Sequence, residues 1–168
     1  MPAAITPLDD FDLKLLAALQ TDVRQTHQHL AEQVHLSASQ VSRRIQRLTD
    51  SGLVRGAVAL LQPAAVGLAV TAYVLVTLRR HDQGCVRLLG QDLVLQEEVV
   101  EMSALTGEAD YLLKLRCHDM QHLSAFLSER LMSHSEIATV KTSIVLQPLK
   151  ETTRVSLAYA QKMQDKAD

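Results

Sequence analysis

Apolar residues recur every three or four positions through the first third of the chain, a spacing typical of amphipathic helices. A first helix is predicted over residues 8–21, with one apolar stripe made by Phe11, Leu15, Leu16 and Leu19. Aspartates at its start would stabilise this helix, because their negative charge lies at the positive end of the helix dipole. A second, shorter helix is predicted to begin after Thr26, a suitable N-cap, and to run to Val34.

A third helix is predicted to begin after Ser37, again a suitable N-cap, and to end at Gly52. Glycine suits the left-handed position that follows many helices. Only His35 and Leu36 separate the second helix from the third. Helices joined by so tight a turn form a helix-turn-helix.

The pattern changes after the third helix. The stretch "LVRGAVALL" predicts two short strands that turn at Arg55-Gly56, which would form the wing of a winged helix. Residues 1–61 are therefore assigned to a winged helix-turn-helix domain. The following "QPAAVG", residues 62–67, is the candidate linker.

From residue 68 strands and helices are predicted to alternate. The predicted strands are "LAVTAYVLVTL", "EVVEMSALTG", "YLLKLRC" and "IATVKTSIVLQ", with helices over residues 82–95 and 119–132. This order, βαββαβ, is that of a ferredoxin-like domain. The fold class is thus α+β, with the second domain over residues 68–157, a short strand expected at "RVSLA" and a mobile helical tail over 158–168.

Composition limits the classes of partner. The chain has 168 residues with 17 basic and 19 acidic side chains, so any nucleic-acid surface must be local. Aromatic residues make up only 3%, which argues against a protein that stacks single-stranded bases. The chain has only two cysteines, and its first residues do not form a basic segment followed by an apolar one. Both features suggest a cytoplasmic protein. The uncharged residues 56–78 are interrupted by Gln62-Pro63 and rich in strand-forming residues, so a membrane helix is not expected.

The third predicted helix is a candidate for DNA binding. Val41, Ile45 and Leu48 fall in one sector of its helical wheel, and four arginines against one aspartate lie between residues 37 and 55. Arginine can bridge guanine or clamp phosphate, glutamine can pair with adenine, and serine can hold phosphate. The alternative is an ordinary solvated charged face. The candidate DNA-binding residues are Ser37, Ser39, Gln40, Ser42, Arg43, Arg44, Gln46 and Arg47.

Three stretches together resemble one family. They are "LDDFDLKLLAALQTDVRQTHQHLAEQVHLSASQVSRRIQRLTDSGLVRGAVALLQPAAVG", "MSALTGEADYLLKLRCHDMQHLSAFL" and "EIATVKTSIVLQPLK", and they resemble the Lrp/AsnC bacterial transcriptional regulators. The resemblance implies a regulator that binds double-stranded DNA and an amino-acid effector and forms homodimers that assemble into tetramers or octamers. The chain departs from the family pattern at His35, where glycine is usual, and at "LQEEV" and "SHSEI", which lack the usual proline or glycine.

The turn "TGEADY" is the candidate effector site. Glycine between two strands permits close approach of a ligand, and nearby amides can receive a carboxylate, although an ordinary turn would use the same residues. The resemblance implies that an amino acid binds here, where two dimers meet. The residues carried over are Leu105, Thr106, Gly107, Glu108, Ala109, Asp110 and Tyr111. No other cofactor is expected.

Other chemistries have weaker support. His118 and His122, beside Cys117, have metal-pair spacing, but a zinc site needs three or four converging ligands. No arrangement of nucleophile, base and acid is visible, so catalysis is not expected. The competing interpretation from another class is an effector-binding protein whose N-terminal helices only contact other proteins.

Overall fold

The computed structural model describes residues 8–79 and 91–164. These residues form two units, one made of residues 8–59 together with 151–164 and the other of residues 60–79 and 91–150. The predicted helix over 82–95 lies mostly outside the described residues, where only 91–94 are seen to be helical.

The first unit contains the three predicted helices, α1 (Asp10–Leu19), α2 (His27–Val34) and α3 (Ala38–Asp50). The residues before these helices are Asp9, Thr26 and Ser37. In each case the side-chain oxygen of that residue accepts a hydrogen bond from the backbone N–H three residues later. Such caps satisfy N–H groups that have no partner inside the helix. The predicted caps of α2 and α3 are confirmed.

The turn between α2 and α3 depends on a left-handed residue. His35 has φ 57° and ψ 46°, and among the described residues it alone has a positive φ without being glycine. Its N–H and that of Leu36 both donate to the carbonyl of Ala31, which closes the end of α2. Histidine tolerates this region better than branched residues do, so the turn forms without the glycine that the resemblance leads one to expect.

The three helices enclose a small core of Leu15, Leu30, Ala31, Val34 and Val41. The predicted stripe of α1 is partly wrong, because Phe11 is 37% exposed while Leu13 is buried. The guanidinium of Arg44 lies 5.4 Å from the centre of the Phe11 ring. Phe11 therefore supports a charged side chain of α3 instead of filling the core.

The two short strands predicted for the wing are not present. Residues 55–62 belong to no strand or helix, and Val58, Leu60 and Leu61 are 69–80% exposed. An isolated two-stranded hairpin has only marginal stability, and no strand in the described part of the chain pairs with this segment. In the linker, Pro63–Val66 forms a 3₁₀ turn that ends at Gly67 in the left-handed region, with φ 86°.

The second unit is built on four strands, β1 (Val70–Leu78), β2 (Val99–Ala104), β3 (Tyr111–Cys117) and β4 (Ile137–Ile144). They form an antiparallel sheet in the order β2-β3-β1-β4. Helix α4 (Met120–Phe126), capped by Asp119, continues as a π-helical segment over Leu127–Met132. The predicted ferredoxin-like arrangement is confirmed for these elements.

The two faces of this sheet differ. Inward residues of β1 and β3 join α4 in a core that includes Val74, Val76, Leu113, Leu115, Leu123 and Phe126. On the other face Tyr73 lies opposite Lys114 and Leu75 lies opposite Lys141. Tyr73 and Leu75 are 39% and 37% exposed. Lysines of the neighbouring strands therefore flank both apolar residues on this face.

The C-terminal segment returns to the first unit. Residues 151–157 have no regular structure, so the short strand predicted at "RVSLA" is absent, and α5 (Ala158–Gln164) follows. The side-chain amide of Gln20, at the end of α1, donates to the carbonyl of Val155 over 3.1 Å and accepts from its N–H over 2.6 Å. Among the described residues, no helix is long and apolar enough to cross a membrane.

Candidate DNA-binding helix and effector loop

Helix α3 presents most of the predicted DNA-binding residues to solvent. Val41 and Leu48 are buried beneath it, as the helical wheel predicts. The exposed members of the predicted set are Ser37, Ser39, Gln40, Ser42, Arg43, Gln46 and Arg47. The structure thus places seven of the eight candidates on one accessible surface, which we call the α3 surface.

Several of these polar groups already have partners within the helix. The amide oxygen of Gln40 accepts from both the N–H and the hydroxyl of Ser37, at 2.9 Å each. The side-chain amide of Gln46 donates to Asp50 over 2.8 Å. Arg43 differs, since it makes no hydrogen bond or ion pair with any residue that the structure describes. Within the described part of the chain, all of its donors are therefore available to a ligand.

The other two arginines reach back to α1. Arg44 is 25% exposed, and its Nη1 donates to Asp9 over 2.7 Å and to Asp12 over 2.8 Å. Arg47 is half exposed, and its Nη2 donates to the second oxygen of Asp12. No sequence pattern indicates this pairing, and the aspartates alone suggest only a favourable interaction with the helix dipole. Side-chain partners 35 residues apart leave no periodic signal.

This arrangement changes the acidity of Asp9. Partial burial would raise the pKa of the Asp9 carboxyl, but hydrogen bonds from the N–H of Asp12 and from Arg44 outweigh burial. They hold the pKa of Asp9 below its usual value of 3.8. Asp9 is therefore ionised throughout the neutral range and neutralises part of the charge on Arg44.

The predicted effector loop joins β2 to β3. Gly107 has φ +126°, and a Cβ built on it would meet nothing within 4 Å, so the residue is needed for its backbone angle and not to make space within the chain. The loop is fixed at its base by Asp110, whose N–H donates to Val76 over 2.9 Å and whose carboxylate accepts from the N–H of Leu78 over 2.7 Å. The hydroxyl of Thr77 also donates to the carbonyl of Glu108, over 3.3 Å.

The tip of the loop carries unused donors. The backbone N–H groups of Thr106, Gly107, Glu108 and Ala109 have no hydrogen-bond partner among the residues that the structure describes. Adjacent free N–H groups are suited to receive a carboxylate. At the inner end of the loop Tyr111 is only 8% exposed, and burial, followed by the charge of Asp110, raises the pKa of its hydroxyl.

A second polar cluster lies at the start of α4. The rings of His118 and His122 stack with centres 4.5 Å apart, His118 contacts Asp119 over 2.9 Å, and His122 contacts Glu98 over 2.8 Å. No group of three or more metal-binding side chains suited to an ion occurs in residues 8–79 and 91–164. The histidines are engaged with carboxylates, and Glu98 was not anticipated from the sequence.

Comparison with known proteins decides the family. Residues 8–49 match the AsnC-type helix-turn-helix domain, and residues 71–155 match the Lrp/AsnC ligand binding domain. The chain belongs to the Lrp/AsnC family. It is a DNA-binding transcriptional regulator with a C-terminal domain that binds a small-molecule effector.

Relatives of this Lrp/AsnC chain cover nearly all of it. It is 33% identical to the DNA-binding transcriptional activator DecR of Escherichia coli (strain K12), over 89% of this chain and 99% of DecR. It is 34% identical to the glutamate uptake regulatory protein of Zymomonas mobilis, over 91% of this chain and 93% of that protein. A crystal structure of a transcriptional regulator from Neisseria meningitidis in complex with L-methionine is similar with a TM-score of 0.87 and 37% identity, covering 91% of this chain and 99% of that one.

Proposed function

We propose that α3 enters the major groove of DNA and that Arg43 reads base edges there. The observation that carries this proposal is the state of Arg43, which is exposed near the centre of the α3 surface and has no partner among the described residues. A guanidinium free to form two hydrogen bonds is suited to guanine. Ser39 and Ser42 flank it and can hold phosphates.

Arg44 is not part of the proposed contact set. Its guanidinium is three-quarters buried, bonded to two carboxylates and placed against Phe11. Moving it to a phosphate would leave the buried Asp12 without one of its partners, which is costly. Arg44 therefore joins α1 to α3, while Arg47 is placed at the edge of the groove for a phosphate.

The proposed effector is a free amino acid bound at the loop 105–111. Its carboxylate would accept hydrogen bonds from the unused N–H groups of Thr106, Gly107 and Glu108. Its ammonium group needs an acceptor, and Glu108 is better suited than Asp110, whose carboxylate already accepts from Leu78. The complex of the Neisseria meningitidis relative with L-methionine supports this class of ligand.

The apolar side chain of Leu105, a residue of this loop that is 39% exposed, favours a small, aliphatic or thioether amino acid over a charged one. The ligand is the only small molecule that the proposal requires. The regulator is proposed to work in the cytoplasm without catalysis.

We further propose that the chain forms a homodimer through the outer face of the sheet and assembles into a tetramer or octamer. Tyr73 and Leu75 provide apolar area there, and Lys114 and Lys141 surround it. A two-fold dimer would present two copies of α3 to a near-palindromic site. Light scattering that shows a monomer at micromolar concentration would contradict this assembly.

Selection of operator sequences from a random pool tests the DNA proposal. Arg43→Ala is expected to relax the base preference at one position per half-site, at a cost of about 1–3 kcal/mol in discrimination. Arg130→Ala, which removes an exposed arginine from the other unit, is the matched control and should select the same sequences as the unmodified protein. If Arg43→Ala also selects those sequences, another element reads the bases.

A further inference from the structure

The buried carboxylate of Asp12 connects two helices. Asp12 is the one charged residue that is fully buried in residues 8–79 and 91–164. Its two oxygens accept hydrogen bonds from Arg44, from Arg47 and from the N–H of Asp9. A buried carboxylate is tolerated only when its acceptor sites are filled in this way.

Its two arginine partners are held to different degrees. Arg44 has a second carboxylate partner, Asp9, and an aromatic ring beside it. Arg47 has Asp12 as its single hydrogen-bonding partner among the described residues, through Nη2, and is 50% exposed. A guanidinium has five N–H donors in a planar fork, so most donors of Arg47 are still available.

We infer that Asp12 is a positioning residue for DNA binding: its carboxylate holds the guanidinium of Arg47 at the edge of the α3 surface, in place for a phosphate. The inference rests on the proposed function of α3. An arginine that is already oriented loses less conformational freedom when it binds a phosphate than one that moves freely, so affinity rises. Arg43, on the same helix, has no such partner in residues 8–79 and 91–164 and so no comparable restraint there.

The alternative role for Asp12 is purely structural, since the same carboxylate joins α1 to α3. The two roles differ in how the effect of Asp12 depends on Arg47. A positioning role needs the Arg47 side chain to be present, whereas a structural role acts on the whole α3 surface. A double-mutant cycle separates them.

The experiment measures operator affinity for the unmodified protein, Asp12→Asn, Arg47→Ala and the double variant, at a temperature where circular dichroism shows all four to be folded. Asp12→Asn is expected to weaken binding about tenfold when Arg47 is present. In the Arg47→Ala background the same substitution is expected to change the dissociation constant less than about twofold. An equal loss in both backgrounds would overturn the inference and leave Asp12 a structural role.

Two controls keep the outcome clear. Arg44→Met removes a different partner of Asp12, so it should lower the melting temperature. The loss of operator affinity that it causes should be the same in the unmodified protein and in the Arg47→Ala background. Arg43→Ala reports on the proposed function itself. If Arg43→Ala weakens operator binding and Arg47→Ala does not, α3 binds DNA but the inference about Asp12 is wrong. If neither substitution changes operator affinity, the DNA surface lies elsewhere and both proposals fail.

A measurement on the unmodified protein covers the case in which Asp12→Asn does not fold. Nuclear magnetic resonance of arginine side chains reports rotation about the Cζ–N bonds. Rotation of the Arg47 guanidinium is expected to be slower than that of Arg43 in the absence of DNA. Equal rotation rates for the two would overturn the inference.

Discussion

The carboxylate of Asp110 accepts a hydrogen bond from the N–H of Leu78, over 2.7 Å, although 32 residues separate the two. The carbonyl of Asp110 also accepts from the N–H of Leu105, over 2.8 Å. One residue therefore closes the loop on itself and fixes it to the end of β1. These hydrogen bonds fix the base of the proposed effector site.

Removing this pair should affect both stability and ligand binding. Asp110→Ala leaves the N–H of the buried Leu78 without this acceptor, which is expected to lower the free energy of unfolding by about 1–3 kcal/mol. It should also weaken amino-acid binding, measured by calorimetry. Asp110→Asn keeps an acceptor oxygen and is expected to retain most of both. Equal effects of the two substitutions would mean that the charge of Asp110, not the hydrogen bond, is what matters.

Gly107 allows backbone strain to be separated from charge. Both Gly107→Ala and Gly107→Asp place a side chain at φ +126°, where L residues are strained, while a Cβ itself meets no atom within 4 Å. Both should therefore lose similar stability, about 1–3 kcal/mol. Only the aspartate adds negative charge beside the N–H groups proposed to hold the ligand carboxylate.

Calorimetry with L-methionine is then expected to show weakened binding to Gly107→Ala and none to Gly107→Asp. DNA affinity should be retained in both variants. Loss of binding to the same degree in both would indicate that strain alone abolishes the site. Loss of DNA binding as well would assign the loop a structural role.

The two arginines that reach Asp12 should respond differently to substitution. Arg47→Ala is expected to reduce the slope of the logarithm of DNA affinity against that of salt concentration by about one unit, if it holds one phosphate. Arg44→Ala is expected to destabilise the first unit by about 3–5 kcal/mol, because it leaves a buried carboxylate partly unpaired. Salt-titrated mobility shifts and chemical denaturation give the two quantities. An Arg44→Ala protein with unchanged stability would contradict the assigned role.

The side-chain amide of Gln20 is expected to protect the backbone of Val155 from hydrogen exchange. Gln20→Ala removes both hydrogen bonds, so the N–H of Val155 should exchange faster by at least roughly fivefold, as expected for about 1 kcal/mol. Gln33→Ala alters another exposed glutamine of the same unit and is the control. Unchanged exchange at Val155 would show that the C-terminal segment is held by other contacts.

Acid should destabilise the first unit partly through Asp9. The folded-state pKa of Asp9 lies below its ordinary value of 3.8, so its contribution is complete above that value and is lost as pH falls through the lower folded pKa. Stability measured from neutral pH down to about pH 2 is expected to fall less steeply below pH 3.8 in Asp9→Asn. An identical acid limb in the two proteins would show that Asp9 is not coupled to folding.

The sequence alone predicts those structural features that depend on residues close together in the chain. Caps at Thr26 and Ser37, the spacing of Val41 and Leu48, and the alternation in "YLLKLRC" each involve residues a few positions apart, and all appear in the structure as predicted. Hydrophobic periodicity and capping depend on local geometry, so they are visible in one sequence.

What the sequence could not show depends on contacts between distant residues. Arg44 and Arg47 were assigned together to the DNA surface, yet both contact Asp12, more than 30 residues away. The wing strands were inferred from β-forming residues, but a strand needs a neighbour, and residues 55–62 have none in the described part of the chain. The role of Asp110 at the base of the effector loop was missed for the same reason.

The return of residues 151–164 to the first unit has a consequence for synthesis. The ribosome makes the chain from its N-terminus at about 5–20 residues per second, so the three helices emerge well before Val155. Gln20 stays without its partner until more than 130 further residues have been added. The unit that carries the α3 surface is therefore completed last, after the whole effector domain has left the ribosome.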